Sequence, residues 1–478
     1  MGSYLIGTHK MMTLRSLVSK LSSHSVTPYD LVKQAIEIIE RENPKVNAVV
    51  STRFEAALAE SKRDYSNTLY KGIPILIKCL GQDLKGEPST NGAVLLKDMV
   101  SNQSSYFVQK LQDLGFIIVG QTNAPEFGFK NITDPVLYGS TRMPTHYDYT
   151  PGGSSGGSAS ALMAQMVPVV GASDGGGSIR IPASYCGLVG LKPTRGSMPV
   201  GPHGYRSWQG AAINFFLTHT VEDCESLFNA MKQTQIEAPF PYVEKPNLNK
   251  TLTIAYSLQS PVGLDVSPDA HAALLKTIQH LKDLGHILVE DTPDIDGNRL
   301  METYYQVNGV ETAAMFRSLE HIFQKPITID DMELTSWVMY QYGKDLSGVD
   351  VVDALSFWDQ CSVIMHAFHQ THDLYLTPTT ATTAPKIDTI YQSQACLNKM
   401  KHIEKDPHKY AVLWDMFERS LANTPYTMLA NITGQPAISL PLYQNAKGFN
   451  LGSQFMASKG NEALLFMISK QLEPYFIT

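Results

Sequence analysis

The chain has 478 residues, of which 43% are hydrophobic and 17% are charged, and its formal net charge is −7. A chain of this length buries a large core, and its acidic balance does not require a basic face, so we expect no nucleic-acid partner. No apolar run approaches the roughly 20 residues that a membrane span requires, so we expect no membrane association.

The N-terminus and the cysteines predict a cytoplasmic protein. The segment MGSYLIGTHKMMTLRSL lacks the apolar stretch and the small-residue cleavage site of a secretory signal. The five cysteines are odd in number and scattered, and they form no CxxC pair. This pattern is typical of reduced thiols rather than of a disulfide framework.

The first predicted elements are helices. In SVTPYDLVKQAIEIIEREN, Thr27 is the expected N-cap, Pro28 fits the first helical position and Asp30 favours the positive end of the helix. Residues 52–64 are rich in helix formers and predict a second helix. Residues 1–66 are therefore predicted to form an N-terminal helical segment.

From about residue 72, short strands alternate with helices. GIPILIK (72–78) predicts a buried strand, and SYFVQKLQDLGFIIVGQ (105–121) predicts a helix, a stop at Gly115 and a strand. TIQHLKDLGHILVED (277–291) has the same helix–glycine–strand form. Such alternation predicts an α/β fold in which helices cover both faces of a largely parallel sheet.

The rest of the chain is less regular. We interpret residues 200–375 as helices and loops over one edge of the sheet, where a substrate pocket would be shaped. Further strands are predicted in DLYLTPTTATTAP (373–385), AISLPL (437–442) and NLGSQFMA (450–457), followed by a helix over 461–473. Because no long linker interrupts the chain, we predict a single domain over 1–478. Its parts are the N-terminal segment, a core over 70–200, a variable pocket region over 200–375 and a closing part over 376–478.

Two glycine-rich loops flank one predicted helix–strand unit, PGGSSGGSAS (151–160) and SDGGGSIRIP (173–182). Glycines let backbone N–H groups converge on a ligand, so the pair favours a binding or catalytic site. A flexible linker and a nucleotide site are less favoured alternatives, and no GxxxxGK[ST] pattern is present. GGSSG (152–156) matches GxSxG, but the strand that must precede an α/β-hydrolase nucleophile is missing.

Ser178 is the better candidate for a nucleophile. It follows Gly175, Gly176 and Gly177, whose N–H groups can point to the place where an oxyanion forms during acyl transfer. Since no histidine is near in sequence, Lys78 is a candidate base, provided that burial lowers its pKa. From the residues alone, the simpler interpretation of Lys78 is the first solvated residue after a strand.

Together these segments resemble the amidase signature family. The family pattern is a lysine after an apolar strand, then GGSSGGS, then SDxGGSIRxP with CGxxGLKPT behind it. The matching segments here are GIPILIK (72–78), PGGSSGGSASA (151–161) and ASDGGGSIRIPASYCGLVGLKPTRG (172–196). NPKVNAVV (43–50), GQTNAPEFG (120–128), LTPTTATTAP (376–385) and NITGQPAISLP (431–441) are similar to further landmarks of the family. The resemblance covers nearly the whole chain and is weakest at about 235–370.

The resemblance implies the amidase signature fold, in which a large mixed, twisted β-sheet is sandwiched between helical layers. It also implies a Ser–cis-Ser–Lys triad. Ser178 would be the nucleophile, Ser154 the bridging serine in a cis peptide, and Lys78 the base. The family places its two serines 24 residues apart, and 178 minus 154 is 24. The oxyanion hole would be formed by backbone N–H groups of residues 175–178.

Other residues receive supporting roles. Ser155 and Asp174 are expected to hold the loops by hydrogen bonds, and Arg180 to bind nearby carbonyl or carboxylate groups. Tyr138 and Trp208 are candidates for the substrate pocket, with simple packing as the alternative interpretation of both.

Two positions depart from the family pattern. Cys79 stands where most members carry an acid, and we interpret it as a packed thiol rather than a nucleophile. Gly175 stands where many relatives have a side chain, and we expect the smaller residue to widen the floor of the site.

We therefore predict an amidase that hydrolyses a linear or cyclic carboxylic amide to an acid and an amine or ammonia, without a metal or an organic cofactor. The histidines of HAFHQTHD (366–373) lack the further ligands of a plausible metal site. NAPEFG (123–128) and LYGSTRMP (137–144) look most like the branch that contains general bacterial amidases and 6-aminohexanoate cyclic dimer hydrolase.

The alternative prediction is the A subunit of a glutamyl-tRNA(Gln) amidotransferase, which would need partner subunits. A nucleic-acid partner is expected only in that case. Otherwise the expected partner is a small-molecule amide, and the expected assembly is a monomer or a homodimer.

Overall fold

An eleven-stranded β-sheet runs through the molecule. The computed structural model describes residues 13–233, 238–246 and 251–477. The first twelve residues, on which part of the N-terminal helical segment and of the absent secretory signal was predicted, lie outside those ranges. The strands are β1 (Val49–Thr52), β2 (Pro74–Lys78), β3 (Ile117–Thr122), β4 (Val170–Asp174), β5 (Val189–Lys192), β6 (Ile213–Thr218), β7 (Thr253–Tyr256), β8 (Ile287–Glu290), β9 (Leu374–Pro378), β10 (Ala437–Gln444) and β11 (Asn450–Ala457).

The sheet is mixed rather than largely parallel. Its strand order is β1-β3-β2-β4-β6-β5-β10-β11-β9-β7-β8. Four of the ten strand pairs are parallel, namely β2–β3, β2–β4, β7–β8 and β7–β9, and six are antiparallel. The parallel sheet predicted from strand–helix alternation was wrong, because some consecutive strands have connections too short for a crossover helix, such as 445–449 between β10 and β11. The mixed sheet that the family resemblance implies is confirmed.

Helices cover both faces of the sheet. Every residue of β2, β3, β9 and β11 is buried, although successive side chains of a strand point to opposite faces. The helices are α1 (Leu14–Ser22), α2 (Pro28–Val46), α3 (Phe54–Glu60), α4 (Tyr106–Asp113), α5 (Gly156–Met163), α6 (Arg180–Cys186), α7 (Val221–Met231), α8 (Pro268–Asp283), α9 (Gly297–Phe323), α10 (Leu334–Asp345), α11 (Gly348–Phe368), α12 (Gln394–Lys401), α13 (Lys409–Leu421), α14 (Met428–Thr433) and α15 (Glu462–Leu472).

Helix α2 begins where its sequence predicts. The Asp30 N–H donates to Thr27 Oγ1 at 3.2 Å, and the Thr27 N–H donates to the Asp30 carboxylate at 2.9 Å. These two bonds form a capping box, with Pro28 at the first helical position. The second predicted helix, over 52–64, is shorter in the structure and covers Phe54–Glu60.

The pocket region over 200–375 contributes more to the sheet than predicted. It supplies β6 at the centre of the sheet, between β4 and β5, as well as β7 and β8 at one edge. Its helix α9 packs against both α10 and α11 around a second hydrophobic core that includes Tyr304, Tyr305 and Met339. The loop after β4 lies between this core and the core of the sheet, and it carries the candidate nucleophile.

The five cysteines are free and buried. In the parts of the chain that the structure describes, no helix combines the length and the hydropathy needed to cross a bilayer.

Candidate active site

Lys78 ends strand β2 with its side chain fully buried, at 0% exposure. Its Nζ is hydrogen-bonded to Ser154 Oγ at 2.7 Å and to Ser173 Oγ at 2.9 Å. Burial lowers the pKa of Lys78 to about 7, because a charged ammonium is poorly solvated there. The interpretation of Lys78 as the first solvated residue after a strand was therefore wrong.

Gln82 holds the two strand ends on which this contact depends. Strands β2 and β4 pair only through Leu76 and Val170. Beyond that pair, the Lys78 N–H donates to Gln82 Oε1 at 2.8 Å, and Gln82 Nε2 donates to the carbonyl of Ala172 at 2.9 Å. The side chain of Gln82 thus continues the pairing and brings Lys78 beside the end of β4.

Ser154 and Ser155 lie in a loop tied to the end of β4. The Gly153–Ser154 peptide is cis, and Ser154 is 2% exposed. Ser155 Oγ accepts the Ser173 N–H at 3.2 Å and donates to the Ser173 carbonyl at 3.1 Å. The Ser155 N–H donates to the carbonyl of Ser178 at 3.2 Å. The structure therefore brings both glycine-rich loops and Lys78 to one place.

A buried ion pair shapes the loop that carries Ser178. Asp174 and Arg180 are both 0% exposed, and their carboxylate and guanidinium groups meet at 2.9 and 3.0 Å. Burial alone would raise the pKa of Asp174, but the charge and the hydrogen bonds of Arg180 outweigh it and hold that pKa well below its usual range. Asn431 Nδ2 adds a further bond to the carboxylate at 2.8 Å. Arg180 also donates to the carbonyl of Thr427 at 2.8 Å, as a residue that binds carbonyls and carboxylates would.

The glycines at 175–177 let three side chains from distant parts of the chain approach the loop closely. A Cβ built on any of them would come within 2.3 to 2.6 Å of a side chain from a distant part of the chain. Those side chains are Trp208 beside Gly175, Tyr304 beside Gly176 and Thr427 beside Gly177. Because the Trp208 indole fills the space beside Gly175, the expected widening of the floor was wrong.

The same loop separates its donors by role. The Gly177 N–H donates to Asp174 Oδ1 at 2.8 Å. It therefore holds the loop in shape and is not available as the oxyanion donor that was predicted at this position. Tyr304 donates to the Gly175 carbonyl at 3.1 Å, and Thr427 Oγ1 donates to the Gly176 carbonyl at 2.6 Å. Among the described residues, the hydrogen bonds leave the N–H groups of Gly175, Gly176 and Ser178 without a protein acceptor.

Ser178 lies in a cleft of about 600 Å³, a volume that includes the part open to solvent. Aromatic side chains form much of its wall, namely Phe129, Trp208, Tyr304, Tyr305 and Phe417. Of the two aromatic candidates from the sequence, Trp208 lines this cleft. Tyr138 lies outside the lining, where its hydroxyl donates to Thr90 Oγ1 at 2.9 Å.

The cleft contains little free charge. Among the described residues that line it, Lys130 carries the one charged side chain. Its Nζ forms ion pairs with Asp134 at 2.6 Å and Glu333 at 2.8 Å. The wall therefore favours an uncharged group.

Cys79 is a packed thiol. It is 4% exposed, and burial raises its pKa to about 12, so the reactive thiolate is strongly disfavoured. Its backbone N–H continues the β2–β3 pairing by donating to the carbonyl of Thr122 at 3.0 Å.

Sequence reasoning missed several residues of the site. Ser173 is the first residue of SDGGGSIRIP and lies at the end of a strand, directly before Asp174. Its position at the strand end was therefore a signal that could have identified it as part of the site. Tyr304 and Thr427 carried no local signal, since they contact the loop from 129 and 251 positions away.

Comparisons with known proteins agree with this geometry. The model of the Amidase family matches residues 30–466. The chain is 38% identical to a lipoamidase of Enterococcus faecalis over 469 residues, which are 97% of this chain but 63% of that protein. It is also 31% identical to a 6-aminohexanoate-cyclic-dimer hydrolase of Paenarthrobacter ureafaciens over 468 residues, covering 94% of this chain and 92% of that one. The chain thus spans less than two thirds of the lipoamidase and nearly all of the hydrolase.

A solved structure shows the same fold. The structure of 6-aminohexanoate cyclic dimer hydrolase complexed with substrate matches with a TM-score of 0.88 and 27% sequence identity, covering 98% of this chain and 97% of that chain. The chain therefore belongs to the amidase family, with the amidase signature fold of enzymes that hydrolyse the carbon–nitrogen bonds of amides.

Proposed function

We propose that this protein hydrolyses a carboxylic amide through an acyl-enzyme on Ser178. The observation that carries the proposal is the buried hydrogen bond of 2.7 Å between Lys78 Nζ and Ser154 Oγ. With a pKa of about 7, Lys78 is partly neutral near neutral pH and can accept a proton. An ordinary lysine, protonated up to about pH 10, would not.

In acylation, Ser178 Oγ attacks the carbonyl carbon of the substrate. Its proton passes to Ser154 Oγ, while the proton of Ser154 passes to Lys78 Nζ. The carbonyl oxygen becomes an oxyanion, which the free N–H groups of Gly176 and Ser178 stabilise. When the carbon–nitrogen bond breaks, the relay returns the proton to the leaving nitrogen, so a neutral amine or ammonia departs.

In deacylation, water attacks the carbonyl carbon of the ester on Ser178. The relay takes one proton from this water and returns it to Ser178 Oγ when the ester bond breaks. The products are a carboxylic acid and the free enzyme. The three side chains carry these proton transfers, and the loop N–H groups stabilise the oxyanion without transferring a proton.

The ion pair of Asp174 and Arg180 supports this chemistry by holding the loop before the substrate arrives. Stabilisation of an oxyanion depends on donors that need not reorganise during the reaction. The Gly177 N–H bond to Asp174 at 2.8 Å holds the peptide between the two proposed donors. Asp174, Arg180 and Ser155 are thus proposed to position the reacting groups.

The cleft supports an uncharged substrate over glutamine. Glutamine carries an ammonium and a carboxylate that a specific site must pair, whereas Lys130 is already bound to Asp134 and Glu333. We therefore propose hydrolysis of a neutral amide, linear or cyclic, rather than the glutaminase reaction of an amidotransferase A subunit.

A panel of amides tests the proposal. It contains aliphatic, aryl and cyclic amides, glutamine, and lipoamide on account of the relative's name, with amine or ammonia release as the readout. We expect turnover of neutral amides by the protein alone, with a transient gain of one acyl group in the intact mass. Equal activity in the wild type and in Ser178→Ala would overturn the proposal, and release from glutamine alone would favour the alternative.

A further inference from the structure

Trp208 is held in an uncommon backbone conformation. Trp208 and the following Gln209 have φ angles of 50° and 49°, in the left-handed region that residues other than glycine seldom adopt. Two such residues in succession persist only where the surroundings hold them.

The carboxylate of Glu311, on helix α9, provides that hold. It accepts the Trp208 N–H at 2.7 Å, the Gln209 N–H at 3.0 Å and Gln209 Nε2 at 2.8 Å. Three donors on one carboxylate, two of them from the backbone, fix the turn as a unit. Glu311 is half-buried and does not line the cleft, so its effect on a substrate acts through Trp208.

The indole held in this way lies against the nucleophile loop. Its Cζ3 and Cε3 atoms would be 2.6 and 2.7 Å from a Cβ on Gly175, three residues before Ser178. Trp208 also meets Tyr304 edge to face at a centroid distance of 6.1 Å and lies parallel to Phe129 at 6.3 Å. The three rings form a continuous aromatic wall beside Ser178.

We propose that Trp208, positioned by Glu311 in the space that Gly175 leaves open, determines specificity for an uncharged, apolar acyl group. The inference rests on the proposed function, since it assigns one side of the same cleft. The acyl group stays on Ser178 through both half-reactions, whereas the amine leaves after the first. A wall that packs against the nucleophile loop therefore acts on the acyl group.

The test uses p-nitroanilides of straight-chain acids from acetyl to octanoyl, with kcat and KM measured separately. Each methylene that packs against the wall raises kcat/KM by up to about fourfold. We expect Trp208→Ala to reduce the octanoyl-to-acetyl ratio of kcat/KM on the order of tenfold, which corresponds to losing part of one aromatic contact surface. A parallel series of acetyl amides with longer amines tests the alternative that the wall binds the leaving group.

Glu311→Gln separates positioning from packing. Glutamine keeps one acceptor oxygen but loses the second, so the turn loosens while the fold is retained. We expect KM for octanoyl anilide to rise about threefold to tenfold, as the loss of one charge-assisted hydrogen bond allows, with a smaller change for acetyl anilide. Glu311→Asp should restore part of the difference.

Glu302→Gln is the matched control for Glu311→Gln. It makes the same substitution on the same helix, where Glu302 pairs with Arg299 at the surface. We expect the control to keep the wild-type dependence on acyl length.

Gly175→Ala changes the loop residue in the contact between Gly175 and Trp208. Its Cβ would displace the indole, so it should flatten the dependence on acyl length as Trp208→Ala does. In the double variant, the alanine occupies space that the indole has vacated, and the effects should be less than additive.

The outcomes distinguish this inference from the proposed function. An unchanged acyl-length dependence in Trp208→Ala and Glu311→Gln, with acyl-enzyme still formed on Ser178, overturns the inference alone. A changed amine-length dependence with an unchanged acyl-length dependence also overturns it. Absence of any Ser178-dependent turnover in the wild type would instead overturn the proposed function.

Discussion

The proton-relay side of the cleft and its aromatic side are held together by different forces. Lys78, Ser154 and the loop at 174–180 are fixed by hydrogen bonds between fully buried polar groups, each of which has few alternative partners. On the aromatic side, the carboxylate of Glu311 holds the backbone turn of Trp208, whereas the rings contact one another and the loop mainly by packing. Losing a partner from a buried polar network costs more than reshaping an apolar wall. Changes on the relay side should therefore abolish turnover of every amide, whereas changes on the aromatic side should alter which amide is preferred.

Ser178→Ala should have the largest effect. Removing the nucleophile should lower kcat by on the order of 10⁴-fold or more for every substrate, because no acyl-enzyme can form. Amine release and intact mass check this, and an unchanged midpoint of thermal unfolding shows that the fold is retained. If the variant still turned over any one amide, this would contradict the expectation that changes on the relay side abolish turnover of every amide.

Lys78→Arg should be nearly as damaging, with a loss on the order of 10³-fold, because arginine keeps the positive charge and cannot act as a base in proteins. Because the larger arginine side chain crowds the fully buried site, Lys78→Met provides a neutral second variant. Lys85→Arg, at an exposed position, is the matched control.

The pH dependence of kcat/KM in the wild type tests whether Lys78 is the base. The pKa of Lys78 is lowered to about 7, so its neutral form is present above that pH and is lost as the pH falls. We expect kcat/KM to rise with pH through about 7. A profile that stays flat from about pH 5 to 9, roughly two pH units on either side of this pKa, would point to another base.

Asp174→Asn should lower turnover and should also reduce stability. It leaves the fully buried Arg180 without its charged partner, which costs about 3 to 5 kcal/mol in the free energy of unfolding. Urea unfolding measures this, with Asp353→Asn at an exposed position as the control. If the free energy of unfolding fell by less than about 1 kcal/mol, the loop would tolerate changes as the aromatic side is expected to do.

Cys79→Ala should have the smallest effect. The thiol is buried with its pKa raised to about 12, so its removal should leave kcat within about threefold and reduce stability by about 1 kcal/mol. Collapse of activity to background would mean that the thiol takes part in the relay.

Much of the relay side could be predicted from the sequence, because its residues lie in short motifs that also specify the local backbone. Ser154, Ser155, Asp174 and Ser178 all fall within two glycine-rich loops, and the structure brings these loops together. The state of Lys78 was less predictable, since burial at the end of a strand depends on neighbours that β4 and the serine loop provide.

The aromatic side could not be predicted in the same way. Gly175 suggested open space, but the space is filled by Trp208 from outside the loop. Likewise, β6 was missed because INFFLT, half-buried at one position and buried at the others, shows no strict alternation between two faces. Both errors arise from contacts between distant segments, which a local pattern does not encode.

The position of β10 and β11 has a consequence for biosynthesis. These strands come after all the others in the chain, yet they lie between β5 and β9 and join the two parts of the sheet. The same late segment supplies Asn431 and Gln454 to the guanidinium of Arg180. A nascent chain that ends before this hairpin therefore has two unjoined sheet fragments and an incomplete nucleophile loop. Hydrolytic activity should appear only after this hairpin has been synthesised, and a product that terminates before it should be inactive rather than partly active.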